Sequence, residues 1–479
     1  MSQMKYETVI GMEVHVELHT SSKMFCSCPA DHFQIGANEH ICPVCTAQPG
    51  ALPVINGRAL ELTAMTGLAL HCQIRPHSVF ARKNYVYPDL PKGYQISQYE
   101  FPICEDGWVD IPTSAGTKRI GIVRVHLEED TGKLVHEGNA SLVDYNRAGV
   151  PLMEIVTDAS LRSADEAFAY VQKIRQLVRY LDASTGDMEK GAMRCEANIS
   201  VRPEGSEEFG TKVEVKNLNS FRSVRNAIDY EVKRQVEVIE EGGVVRQVTM
   251  GWDEGDGSTR EQRSKEYADD YRYFPEPDLL DVRVDAPWMQ RVETELPELP
   301  DTKASRFADT HGLEPDEAAM LVEDRSVAEY FEQVIGVDGV DAKGAANWMT
   351  GEFFRRLKET DAADITAIRV RPQQLGQLLK LVTDSTISGS AAKDVFGVMW
   401  ESGGEPDKIV EEKGLKQISD SSELESSVEA VIAEQSEAAD KVRGGDEKPI
   451  QFLMGQVMRA TKGKANPQLV QQLLRERLS

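Results

Sequence analysis

The feature that most constrains this chain is a set of alternating segments that repeatedly place a glutamate on a strand, densest between Ile120 and Asp158. In IGIVRVHLEED, Val123, Val125 and Leu127 alternate with Arg124, His126 and Glu128, the period of a strand with one apolar and one polar face. LMEIV follows and sets one carboxylate, Glu154, among apolar neighbours. A glutamate in such surroundings needs a cation or hydrogen bonds. The pattern recurs elsewhere. TVIGMEVHVELH sets Ile10, Met12, Val14, Val16 and Leu18 against Glu13, His15 and Glu17. RCEANISVR sets Cys195, Ala197, Ile199 and Val201 against Arg194, Glu196, Asn198 and Ser200, and KVEVK sets Val213 and Val215 against Lys212, Glu214 and Lys216.

Two readings fit these five segments. One is a sheet with a wet face whose charges pair across strands. The other is a hard-metal or phosphate site, because carboxylates suit Mg²⁺ and nearby Lys and Arg hold phosphate charge. Two helices would cover the apolar back. Ser163-x-x-Glu166 is a capping box ahead of the stripe Phe168, Val171, Ile174, Val178 and Leu181. The second helix runs from Ser220 to Glu241 and stops at Gly242-Gly243. The expected fold is α+β: a mixed or antiparallel sheet forming a cradle, covered by helices on one face.

Four of the seven cysteines crowd together as Cys26-x-Cys28 and Cys42-x-x-Cys45. The chain has no recognisable signal peptide and no apolar run of membrane-spanning length, so it is expected in the cytoplasm and away from membranes. In that reducing compartment the cluster predicts a structural Cys₄ zinc site rather than two disulfides. A net charge of −25 argues against non-specific coating of nucleic acid. It leaves room for local basic patches. Residues 80–101 read as a loop rich in Tyr, Lys, Arg and Pro. There Arg82, Lys83, Tyr85 and Tyr87 would either stack bases at an RNA 3′ end or form a packed tyrosine corner.

Phosphate-loop signatures fail: Gly205 and Gly210 have the spacing, but Thr211 and Lys212 stand in the wrong order. Among the catalytic signatures, neither a serine elbow nor a glutaminase cysteine is present, so hydrolysis by a nucleophile of this chain is not expected. After Glu295 the strand pattern gives way to helices, such as Ser326–Ile335, Gly344–Leu357 and Pro372–Thr383. The expected domains are a cradle over 1–295, a helical domain over 296–405 and a tail domain over 406–479. The tail is acidic up to residue 448 and basic beyond it. Lys462 and Lys464 occupy a tight turn between its last two helices, a place suited to a phosphate backbone.

Taken together, GMEVHVEL, RKNYVYPDLPKGYQISQ, RVHLEEDTGK, SLVDYNRAGVPLMEIV, RCEANIS, KVEVKNLNS, DDYRYFPEPD and KGKANPQLV resemble one family across nearly the whole chain. It is the family of B subunits of the aspartyl/glutamyl-tRNA amidotransferases. The resemblance implies a heterotrimer in which an amidase partner releases ammonia from glutamine and a small third partner straps the amidase to the present chain. It implies that the present chain binds misacylated Glu-tRNA(Gln) or Asp-tRNA(Asn). With ATP and Mg²⁺ it would phosphorylate the side-chain carboxylate, which ammonia then attacks. Carried onto this sequence, the Mg²⁺ ligands would be Glu13, His15, Glu128, Glu154, Glu196 and Glu214, all but Glu196 also catalytic. Glu196 departs from the aspartate frequent in the family. Cys26, Cys28, Cys42 and Cys45 match the zinc knuckle of some members. Arg82, Lys83, Tyr85, Tyr87, Lys462 and Lys464 would contact tRNA or substrate. A non-catalytic tRNA-binding scaffold is the alternative.

Overall fold

The computed structural model describes residues 5–264, 271–360, 365–417, 421–461 and 464–478. The chain divides into two compact units, Met1–Leu299 and Pro300–Ser479.

The first unit is built on a nine-stranded sheet. From edge to edge its strands are Ser258–Ser264, Val248–Asp253, Val213–Leu218, Met193–Pro203, Tyr6–Glu17, Pro151–Thr157, Gly116–Glu129, Cys104–Thr113 and Gln73–Ile74. Neighbours pair antiparallel, except Val213–Leu218 with Val248–Asp253, which run parallel. The fold is therefore α+β, as the alternating segments predict. One face is apolar. Met12, Val14, Val125, Leu127, Met153, Ile155, Ala197, Ile199 and Val215 join one core with the helices Gly57–Ala69, Ala164–Tyr180 and Phe221–Glu240. Ser163 caps its helix as predicted, its Oγ accepting from the Glu166 amide at 3.2 Å, while the Glu166 carboxylate accepts from the Arg162 rather than the Ser163 amide. Ser220 Oγ caps the next helix, accepting from the Ser223 amide at 3.0 Å. Gly242 takes a left-handed φ of 78° and ends the third helix. Helix Gly57–Ala69 escapes a reading by periodicity because it is apolar and buried almost all round.

Two local expectations are corrected. Val123 does not face the core with Val125 and Leu127. A bulge opposite Val156 and Thr157 shifts the register, so Ile122 turns inward and Val123 is exposed. Residues 80–101 are not simply a loop: Ala81–Asn84 pairs with Tyr94–Ser97, and Phe274–Pro275 adds a third strand. All four residues of Ala81–Asn84 are only partly buried, so no alternation marks them.

Among its described residues the second unit is built of helices joined by short loops. One core is built by the helices from Pro300–His311 to Pro406–Glu412, and a separate one by the helices from Ser421–Glu434 to Pro467–Leu478. Helix Arg325–Ile335 and helix Pro372–Thr383 stand where the pattern places them. The stretch Gly344–Leu357 is not one regular helix. A π turn, Met349–Phe353, separates Ala342–Trp348 from Phe354–Glu359. No helix among the described residues is long and apolar enough to cross a membrane.

Candidate active site and metal centres

Strand order decides which glutamates meet. Register sets Glu154 between His15 on one side and His126 on the other, with Leu152 opposite Glu128 one step along the same face. His15 Nε2 lies 3.6 Å from both Glu128 Oε1 and Glu154 Oε2, and His126 Nε2 lies 3.1 Å from Glu154 Oε2. Ser97 Oγ donates to Glu128 at 3.2 Å. Burial opposes the charge of Glu154, but His126, His15 and Lys83 outweigh it and hold its carboxyl well below the ordinary range.

A second cluster lies beside the first on the same polar face. Glu13 stands opposite Glu196, and Asn198 opposite Glu214. Asn198 Nδ2 donates to Glu13 at 2.9 Å, Lys216 Nζ pairs with Glu196 at 2.8 Å, and Thr249 Oγ1 donates to Glu214 at 2.6 Å. Burial, and then repulsion from Glu154, Glu196 and Glu214, pushes the Glu13 carboxyl up. The set of six predicted ligands thus resolves into two triads, His15–Glu128–Glu154 and Glu13–Glu196–Glu214. Within each, one ligand atom per residue lies within 4.8 Å of the others. Carboxylate-rich triads of this size fit hard divalent cations, and the second is crowded enough to disfavour the charge of Glu13.

The tyrosine-rich hairpin borders the first triad. Lys83 Nζ lies 5.1 Å from the centre of the Tyr271 ring and 6.0 Å from that of Tyr85. Burial opposes its charge, yet Glu128, Tyr273 and Glu154 keep its ammonium titrating well above the usual range. Tyr85, Tyr87, Tyr271 and Tyr273 form a chain of edge contacts, and Tyr273 stacks on Tyr99 at 4.3 Å. Arg82 makes a two-pronged bond to Glu276 at 2.8 and 2.9 Å, with its guanidinium over Tyr94, and stays partly exposed. His126, Tyr271 and Tyr273 are absent from the predicted site. His126 was legible on the polar side of its strand, whereas the two tyrosines reach the triad only through the pairing of Phe274–Pro275 with Ala81–Asn84.

Beyond the triads the polar face continues in ion pairs. Asp130 meets Arg194 at 2.7 Å and Arg147 at 3.7 Å, and His32 meets Glu17 at 3.0 Å. Despite burial, Arg194 and Arg147 bring the Asp130 carboxyl down to about 2.

Cys26, Cys28, Cys42 and Cys45 converge, all unbridged, with sulfurs within 4.8 Å of one another. The Cys42 and Cys45 sulfurs are 3.9 Å apart. Four ligands about 2.3 Å from one tetrahedral zinc stand roughly 3.8 Å apart, so the geometry fits. The hydrogen bond with Cys26, with help from Lys23, brings the Cys45 thiol down to about 5 against burial. Lys464 is exposed after helix Pro449–Ala460, while Lys462 lies outside the described residues.

Residues 8–290 match the family model described as the GatB/GatE catalytic domain, and residues 329–478 match the GatB domain. The B subunits of aspartyl/glutamyl-tRNA(Asn/Gln) amidotransferases are similar along their whole length. That of Syntrophotalea carbinolica is 49% identical over 476 residues, covering 99% of both chains. Those of Geotalea uraniireducens and Geobacter sulfurreducens are each 51% identical, covering 99% of this chain and 100% of theirs. The chain therefore belongs to the family of aspartyl/glutamyl-tRNA(Asn/Gln) amidotransferase B subunits.

Proposed function

We propose that this chain uses ATP to activate the side-chain carboxylate of Glu on tRNA(Gln), of Asp on tRNA(Asn), or of both, and then amidates it. It would do so in the cytoplasm, within a heterotrimer whose amidase partner delivers ammonia and whose small third member joins the amidase to this chain. The carrying observation is the pair of triads on one polar face, both built on the strand Tyr6–Glu17 and flanked by Lys83 and Lys216.

A carboxylate is a poor acyl donor. Its oxygen attacks the γ-phosphorus of ATP, ADP leaves, and the acyl phosphate formed has phosphate as a good leaving group. Ammonia then attacks the acyl carbon, phosphate departs, and the nitrogen sheds a proton to leave the amide. Glu13, His15, Glu128, Glu154, Glu196 and Glu214 would hold Mg²⁺, which supplies charge neutralisation and polarisation of phosphate oxygens when bound. His126 orients Glu154 through their 3.1 Å contact. Lys83 and Lys216 offer positive charge at opposite sides of the acidic face. Tyr85, Tyr87, Tyr271 and Tyr273 would receive the unpaired 3′ end, since aromatic faces stack bases. The knuckle cysteines would hold a structural zinc with no open coordination position. Residues 1–295 would perform the chemistry, 296–405 would join it to the tail, and 406–479, with Lys462 and Lys464, would grip the tRNA, the helix Pro406–Glu412 packing into the core of the preceding helices.

Labelled phosphate release from ATP by the assembled complex tests this reading. It should require misacylated tRNA. Release with free glutamate alone would indicate a ligase of free amino acids, and no release at all would leave a tRNA-binding scaffold.

A further inference from the structure

The side chain of Lys23 is buried, an expensive place for an ammonium group. Its three donors meet three partners: the His40 carbonyl at 2.8 Å, the Tyr145 carbonyl at 3.2 Å and the Cys45 sulfur at 3.7 Å. These partners belong to different parts of the molecule. His40 and Cys45 lie in the knuckle, whereas Tyr145 begins the segment that leads through Gly149 into the strand of Glu154. A Cβ on Gly149 would meet the Lys23 and Cys45 side chains at 3.5 and 3.6 Å, so that segment lies directly against both. The Met24 amide donates to the Gly149 carbonyl at 2.7 Å, and the Gly149 amide to the Asp130 carbonyl at 2.9 Å. Asn146 adds a tie, accepting from the His40 amide at 2.8 Å and donating to the Gly36 carbonyl at 2.7 Å.

We propose that Lys23 is a positioning residue that couples the four-cysteine centre to the Glu128–Glu154 end of the acidic face. Its ammonium holds the Cys45 sulfur and the Tyr145 carbonyl at once. A metal in the knuckle thereby fixes the segment from which the Glu154 strand starts. The charge has a second consequence. A divalent cation with four thiolates carries two net negative charges, and a buried ammonium on one sulfur removes one of them without occupying a coordination position. The inference rests on the reading of the four cysteines as a metal site.

The test uses the full chain, stripped of metal and reloaded with Co²⁺, whose thiolate charge-transfer band reports on the sulfurs. Lys23→Met keeps an unbranched side chain one atom shorter and deletes its charge and donors. We expect Co²⁺ affinity to fall about tenfold to a hundredfold, as for other groups bonded to metal ligands. The charge-transfer band should shift, and amide exchange should quicken over 143–149 and along Pro151–Thr157. Lys23→Arg, which keeps the charge, should stay closer to the parent in affinity and band position. Should Lys23→Met fail to fold, the parent decides: removing its metal should speed exchange over 143–149 and into Pro151–Thr157. Parent-like affinity and spectrum in Lys23→Met, or exchange in the parent that ignores metal removal, would overturn the proposal. A parent that binds no Co²⁺ would instead sink the reading of the cysteines.

Discussion

Glu13 offers a test in which stability and metal binding pull in opposite directions. Its carboxylate shares a 4.8 Å cluster with Glu196 and Glu214 and also feels Glu154. Two unit charges separated by the cluster's 4.8 Å repel by roughly 3.5 kcal/mol at an effective dielectric constant of about 20. Lys216, bonded to Glu196, offsets part of this. Glu13→Gln keeps an oxygen for the Asn198 donor and removes the charge. Without metal, at a pH where Glu13 is ionised, it should therefore stabilise the strand Tyr6–Glu17 by about 2 kcal/mol. The sign follows from the elevated carboxyl of Glu13. Metal-free parent is steadiest while that group is protonated and loses this stability as pH rises through its folded pKa, which the Gln variant does not do. Mg²⁺ at a hundredfold excess over its dissociation constant returns about 2.7 kcal/mol to the parent and little to the variant. Hydrogen exchange along Tyr6–Glu17 should thus rank the variant first without Mg²⁺ and the parent first with it. A variant that exchanges faster than the parent without Mg²⁺, or equal protection of both by Mg²⁺, would refute the assignment.

Other perturbations have equally definite outcomes. Cys42→Ser or Cys45→Ser should lower the zinc content of reduced protein and loosen the N-terminal region, with loss of activity following from that; metal analysis checks it. Asp130→Asn should cost on the order of 2 kcal/mol at neutral pH. The Asp130 carboxyl is held at about 2, so its contribution is whole above the unfolded value near 3.8 and disappears as pH falls toward 2; urea unfolding across acid pH reads this. Deleting residues 421–479 should raise KM for aminoacyl-tRNA while the complex still hydrolyses glutamine without tRNA. That cut spares Ile409 and Val410, which belong to the core of the preceding helices.

Much of the acidic face was legible because a strand shows its two faces in sequence: Glu13, His15, Glu196 and Glu214 stand where alternation places them. What a single chain pattern cannot carry is strand order. Glu13 and His15 are two residues apart, yet they belong to different triads, because Glu196 stands opposite one and Glu154 opposite the other. His126 was visible on its strand but acquires its role only from pairing with Glu154. The bulge that exposes Val123 is an extra residue in its own strand, opposite Val156 and Thr157, and shows only in the pairing. Arg82 shows the opposite limit. As sequence it is a cation among tyrosines, and its ion pairs with Glu276 and Asp278, nearly two hundred residues away, appear only in the fold.

The paired triads are proposed to perform ATP-dependent activation. The most direct measurement is tRNA-dependent ATP cleavage by the assembled complex carrying Glu128→Gln or Glu154→Gln. Each change keeps the shape of the side chain and removes one carboxylate from the triad around His15. Losing several kcal/mol of transition-state stabilisation corresponds to roughly a thousandfold in rate. ATP cleavage and amidation should collapse together, and added ammonia should restore neither, whereas it would rescue a defect in the amidase partner. Cleavage near the parent rate in these variants, with the fold intact, would make the acidic face an ordinary protein surface.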